Sequence, residues 1–169
     1  MSSAVADYLR RGRWAAVTTF GAHPLAVAGV AANIQIMLDE DVVQHVAEVG
    51  EEFGHRLEEL VDRHPSALRI SGRGLAWSIE LCKDAATGEK WVPADRWLTP
   101  SVDGTPAFLP GRFIAEECEK HGVLLFNFVP NTVTIAPPLK ITRDELTFAL
   151  EALEQAFTAL DEHTASARA

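Results

Sequence analysis

At 169 residues the chain can bury one adequate core, and its 47% apolar and 23% charged content is ordinary for a globular protein. A formal net charge of −9 argues against nucleic acid and against anionic membrane surfaces, both of which attract basic patches. No apolar run approaches the roughly 20 residues needed to span a bilayer. The start of the chain, with Asp7, Arg10, Arg11 and Arg13, is not a secretory signal. Cys82 and Cys118 form neither a metal pattern nor a disulfide framework, so both read as small core residues in a reducing, cytoplasmic compartment.

Ser3 to Arg13 reads as a short basic helix with Val5, Tyr8 and Leu9 as its apolar contacts, and Trp14 to Phe20 as an extended segment. The turn Thr18-Thr19-Phe20-Gly21-Ala22-His23 then leads to Pro24, which suits a first helical turn because its missing N–H is one the helix leaves unpaired. Free amides and the positive dipole end favour an anion there, and the hydroxyls of Thr18 and Thr19 add donors. The plainer reading is a turn between a strand and a helix. From Pro24 to Met37 the pattern is apolar nearly all round with small residues dominating, the pattern of a helix covered on every side. Asp39-Glu40-Asp41 fits the first turn of a second helix. Its stripe is Val42, Val46, Val49, Phe53, Leu57 and Leu60, with glutamates opposite, and His64-Pro65 stops it.

Leu68 to Ser71 and Leu75 to Cys82 read as strands around Gly72-Arg73-Gly74. Arg73 is a candidate carboxylate fork, the plainer reading being a structural turn residue between two glycines. Asp84 to Gly88 is a turn. Glu89 to Pro110 reads as a long loop, in which Trp91, Trp97 and Phe108 either line a substrate entrance or anchor the loop to the domain. Arg112 to His121 reads as a helix with Gly122 as its left-handed cap. Val123 to Phe128 and Thr132 to Ala136 are expected to pair as a hairpin across Pro130-Asn131. Thr142-Arg143-Asp144-Glu145 is a capping box opening a last helix with the stripe Leu146, Leu150, Leu153, Phe157 and Leu160, and residues 164–169 read as a disordered tail. Antiparallel strands grouped with helices give an α+β fold class.

Four segments resemble class III aminotransferases, pyridoxal-phosphate enzymes of fold type I. Thr19-Phe20-Gly21-Ala22-His23-Pro24-Leu25-Ala26 resembles that family's Thr-Phe-Gly-Gly-His-Pro-Leu-Ala, with Ala22 in place of the second glycine. Gly72-Arg73-Gly74-Leu75 with Ile79-Glu80-Leu81, then Gly122-Val123-Leu124-Leu125, then Ile135-Ala136-Pro137-Pro138-Leu139, follow in the family's order. The resemblance implies that residues 1–38 are the tail end of the large, cofactor-binding domain and residues 39–163 the C-terminal small domain, with helices on a small, mainly antiparallel sheet. It implies that the cofactor-bearing lysine lies ahead of the matched part, so the chain reads as a C-terminal portion.

By the same resemblance Thr19 contacts the phosphate of pyridoxal 5'-phosphate across a dimer, with Thr18 beside it. The position of the family's carboxylate-binding arginine is Phe126, which implies an apolar end for the substrate there. Lys83, Lys90, Lys120 and Lys140 read as solvated charges, and the histidines show no metal-ligand spacing. The expected partners are an N-terminal aminotransferase chain or a second copy of this one, with a small amino donor and a keto acceptor, and neither nucleic acid nor membrane. The isolated chain is expected to be inactive. The alternative, of a different class, is a free-standing protein-interaction domain that keeps the small-domain fold and its alanine-rich helix.

Overall fold

The computed structural model describes residues 3–12, 19, 21–93, 101–102, 105–126 and 129–166, with backbone only at 101–102 and 105–106. The chain divides into two compact units, Met1–Asp41 and Val42–Ala169. The first holds α1 (Ser3–Arg11) and α2 (Pro24–Asp39), as the sequence pattern predicts; the expected extended segment from Trp14 lies outside the described residues apart from Thr19. Every residue of α2 is exposed except the half-buried Met37. The acidic triplet does not open the next helix. Asp39 ends α2, Glu40 caps it, and Asp41 takes a left-handed φ of 48°, which breaks the helical path before Val42.

The second unit is built on α3 (Val42–Arg63), a sheet, α4 (Pro110–Lys120) and α5 (Arg143–Ser166). The sheet has the order β1-β2-β5, all antiparallel, from β1 (Ala67–Arg73), β2 (Ala76–Leu81) and β5 (Thr132–Ile135). Among the described residues this gives five helices and an α+β arrangement, the fold class read from the sequence. The α3 stripe is buried as its spacing demands: Val49, Phe53, Leu57 and Leu60 are at most 1% exposed. They meet Ile79 and Leu81 of β2, Val133 of β5, Ile114 of α4 and Leu146, Leu153, Phe157 and Leu160 of α5 in one continuous core. Burial pushes the Cys118 thiol up to about 12, and Cys82 is also raised by burial, so both are inert core thiols.

Three local expectations are corrected. Val123 to Phe126 is not a strand, and no hairpin joins it to β5. Residues 127–128 lie outside the described residues. Instead β5 pairs with β2, Ile79 opposite Val133, and Leu81 N–H donates to the Asn131 carbonyl. This gives β2 two partners, buries Val133 and Ile135, and leaves Leu124 and Phe126 exposed. The long loop contains a short ribbon, β3 (Ser101–Val102) against β4 (Thr105–Pro106), bracketing Asp103-Gly104. The tail is not frayed at residue 164: α5 continues to Ser166, and the buried Thr164 donates its Oγ1 proton to the Leu160 carbonyl. Two signals hold as read. Gly122 has φ 81°, just past the end of α4. Thr142 and Glu145 cap each other reciprocally, with Glu145 N–H to Thr142 Oγ1 and Thr142 N–H to a Glu145 carboxylate oxygen.

Two contacts set how α3 lies on its neighbours. At its middle it approaches the β1–β2 hairpin so closely that a Cβ on Gly50 would sit 2.5 Å from Gly74 Cα, and one on Gly54 2.5 Å from Trp77 Cζ2. Trp77 is fixed by an Nε1–H bond of 2.6 Å to the Gly74 carbonyl. At its end, Arg63 and His64 meet α5. Arg63 binds Glu154 through Nε at 3.2 Å and Nη2 at 2.6 Å. The ring nitrogens of His64, itself 7% exposed, lie 2.6 Å from Asp161 Oδ2 and 3.2 Å from Glu154 Oε1. Asp161 Oδ1 also accepts the Ser66 N–H.

The close approach predicts that Gly50→Ala lowers stability by about 1–3 kcal/mol, because backbone faces the new methyl and cannot yield as a side-chain tip would. Urea unfolding of the full chain, followed on the Val42–Ala169 unit, reads this. Gly29→Ala, which would meet nothing within 4 Å, should leave that transition unmoved. The second contact predicts an acid slope. The Arg63 hydrogen bond, with smaller help from His64, holds the Glu154 carboxyl below its usual 4.5. A depressed carboxyl lends stability above its unfolded value and loses it as pH falls through the folded value. Arg63→Gln should therefore flatten the fall of the urea midpoint between about pH 5 and 3. An unchanged slope would remove Arg63 as its cause.

Candidate functional site

The first unit presents a turn leading into α2. Thr19 and Gly21 to His23 are exposed turn residues, while Thr18 lies outside the described residues. His23 is the N-cap, extended at φ −63° and ψ 127°, and its side chain makes no capping bond. Pro24 follows at the helix start, and Val27 N–H donates to the His23 carbonyl at 3.0 Å to close the first turn. The amides of Leu25 and Ala26 therefore stand at an uncapped helix start, where no intrahelical acceptor exists for them. This arrangement suits a phosphate: amide donors, the dipole's positive end and an exposed Thr19 hydroxyl in the same turn. Ala22, at φ 61°, holds a left-handed conformation that glycine takes without strain.

The turn does not supply the rest of a pyridoxal site. Met1–Asp41 contains no lysine at all. In the second unit Lys83, Lys90 and Lys120 are engaged with Glu89, Glu80 and Glu117, and Lys140 is exposed. The residues present thus fit the phosphate end of the cofactor and not its lysine attachment.

The other two candidates stand in different parts of the second unit. Arg73 ends β1 at the hairpin tip, exposed, opposite Ala76 and before Gly74 at φ 57°. Phe126 is 71% exposed and lines an open cavity of about 250 Å³ with Arg112, Ala115, Glu116, Glu119, Leu124 and Leu125. Arg73 is not among its walls. Sequence reasoning passed over Arg112, the cation of this cavity. Its Nε donates to Glu116 Oε1 at 2.7 Å, one helical turn on, a spacing that reads as an ordinary surface pair.

Of the loop aromatics, Trp91 and Phe108 pack against each other, with ring centroids 4.7 Å apart, and against Phe113 and His163. Both act as anchors to the domain, while Trp97 lies outside the described residues. Among those residues no cluster of histidine, cysteine and carboxylate side chains could hold a metal, and no helix is long and apolar enough to cross a membrane.

Residues 2–157 match the family Aminotransferase class-III. The chain belongs to that family. It is 33% identical over 147 residues to an uncharacterized aminotransferase of Schizosaccharomyces pombe, covering 83% of this chain and 29% of the relative. It is 31% identical over 140 residues to an ornithine aminotransferase of Staphylococcus epidermidis, covering 83% and 28%. Its fold superimposes on an S-selective transaminase from Arthrobacter sp. solved with alanine bound, at TM-score 0.72 and 29% identity, covering 94% of this chain and 33% of that one. An amine transaminase from an uncultivated Pseudomonas species in its PLP-bound form gives TM-score 0.70 and 29% identity, covering 94% and 34%. The chain spans about a third of the length of these relatives. The four sequence resemblances are borne out at the level of family and fold.

Ala22 stands at a left-handed position, so the turn carries strain of ~1 kcal/mol. Ala22→Gly is expected to slow amide exchange across Gly21 to Val27 about fivefold. Unchanged exchange would show that the turn holds its shape without strain.

Proposed function

We propose that this chain is the C-terminal portion of a pyridoxal-phosphate-dependent aminotransferase and works with an N-terminal portion that carries the cofactor lysine. The observation that supports this reading is the turn from Thr19 to Pro24: an exposed hydroxyl beside an uncapped, proline-opened helix start, in the family's own motif. When bound, pyridoxal phosphate supplies the electron sink for amino-group transfer. Thr19 and the amides of Leu25 and Ala26 would hold its phosphate, reaching the neighbouring subunit's site across a dimer. Thr18 is the weaker candidate by the same resemblance.

Phe126 and Leu124 would give the substrate an apolar wall, and Arg73 is the outlying candidate for a carboxylate. Alone, the chain does not transaminate, since none of its lysines stands in the cofactor's context. The compartment proposed is the cytoplasm. A second reading, a free-standing interaction domain, is favoured by one feature: the core of Val42–Ala169 is closed without help from the rest of the chain.

Spectral titration with pyridoxal phosphate separates the two. On the aminotransferase reading the chain captures no cofactor by itself and completes a stable cofactor complex when an N-terminal class III chain bearing the lysine is added. Thr19→Ala should then weaken cofactor affinity about tenfold, the loss of one hydrogen bond to a charged group. No capture with either mixture would leave the interaction domain. Equal affinity of the variant would take the phosphate role from Thr19.

A further inference from the structure

Four rings, those of Trp91, Phe108, Phe113 and His163, converge on one place. Trp91 and Phe108 stand at the two feet of the long segment between them, and their rings touch, with centroids 4.7 Å apart at 55°. Phe113 of α4 lies 5.5 Å from Phe108. His163, near the end of α5, contacts all three: it stacks on Phe108 at 4.3 Å and 19°, and lies 5.5 Å from Phe113 and 6.0 Å from Trp91. The first foot is held from its other side as well. The Asn131 side chain accepts from Val92 N–H at 3.1 Å and donates to the Val92 carbonyl at 2.6 Å. Val92 itself is 1% exposed. The second foot runs straight into α4, where Phe113 N–H donates to the Leu109 carbonyl.

We propose that the last turns of α5 and both feet of the segment between Trp91 and Phe108 form one local opening unit, clasped by the His163 ring. Bringing the ends of a long segment together costs entropy, and the contact between its feet must offset that cost. The last turn of a helix has its own deficit, carbonyls without intrahelical donors, and frays unless something holds it. A ring shared by three partners meets both needs at once, so neither part is stable in isolation. Opening of either releases the other, while α3, β1 and β2 stay closed on the part of the shared core that Val49, Phe53, Leu57, Ile79 and Leu81 fill. Trimming or binding at the C-terminal end of α5 is thereby transmitted to both feet of the segment. The inference stands on Val42–Ala169 alone and is independent of whether the chain serves an aminotransferase.

Hydrogen–deuterium exchange on the full chain tests it. In His163→Ala the amides from Glu89 to Val92, those from Ala107 to Phe113 and those from Leu160 onward should exchange faster together, by about tenfold, the scale of lost aromatic stacking. The amides of α3 and β1 should keep their parental rates. His163→Phe, which restores a ring able to stack, should return all three segments close to the parental rates. Faster exchange confined to α5, or to one foot, overturns the proposal. So does an even rise through α3 and β1, or a failure of His163→Phe to restore protection.

Discussion

The second unit depends on how near α3 can come to the β1–β2 hairpin. Gly50 and Gly54 remove the side chains that would hold the helix off, and the Trp77 ring fills the space beside Gly54. The helix axis is thereby brought down onto the sheet, and Phe53 and Leu57, on the same face, reach the layer of Ile79 and Leu81. The hairpin tip has to stay narrow for this to work. Gly74 is at the contact and in the left-handed region, and its carbonyl is the acceptor that orients Trp77. A tip with side chains would meet α3 before the core closed. The Gly72-Arg73-Gly74 sequence is accounted for by this packing, with Arg73 between the two glycines left to face solvent.

The far end of α3 solves a different problem. His64 and Ser66 leave the helix for β1 at a buried corner, where polar groups need partners. Asp161 and Glu154 of α5 provide them, one carboxylate taking the Ser66 amide and a His64 nitrogen, the other facing His64 and the Arg63 fork. These are polar contacts in a partly dry site, and each carboxylate meets two residues. The glycine contact thus fixes the distance of α3 from the sheet, while the ionic corner fixes where along α5 it docks.

Much of this was legible in the sequence, because the helices announce themselves locally. The stripes of α3 and α5 repeat over several turns, and the Thr142–Glu145 box and Gly122 act within a few residues of themselves. The misreadings are long-range or ambiguous. Val123 to Phe126 has the residues of a strand, but pairing is decided by which edge is free, and β5 gains more by lying against β2 than against a neighbour. The acidic triplet suits a helix start on charge alone; the backbone at Asp41 decided otherwise. The candidate site was legible only where it rests on local backbone, at Thr19 to Pro24. Arg112 was invisible because only folding places it beside Phe126.

The helix that follows Thr19 makes the strongest physical demand in the chain. Between Pro24 and Asp39 its polar side chains are Asn33 and Gln35 alone, and Leu25, Val30, Ile34 and Leu38 are each more than half exposed. A 16-residue helix is marginal in water without packing, and exposed apolar area costs about 25 cal/mol per Å². A cover over α2 would remove that cost and would also act on the turn at its start. Excluding water there lowers the local dielectric, which strengthens the attraction between a phosphate and the helix's amide end. On the proposed function, anion binding at Thr19 and burial of α2 would therefore be coupled, each favouring the other.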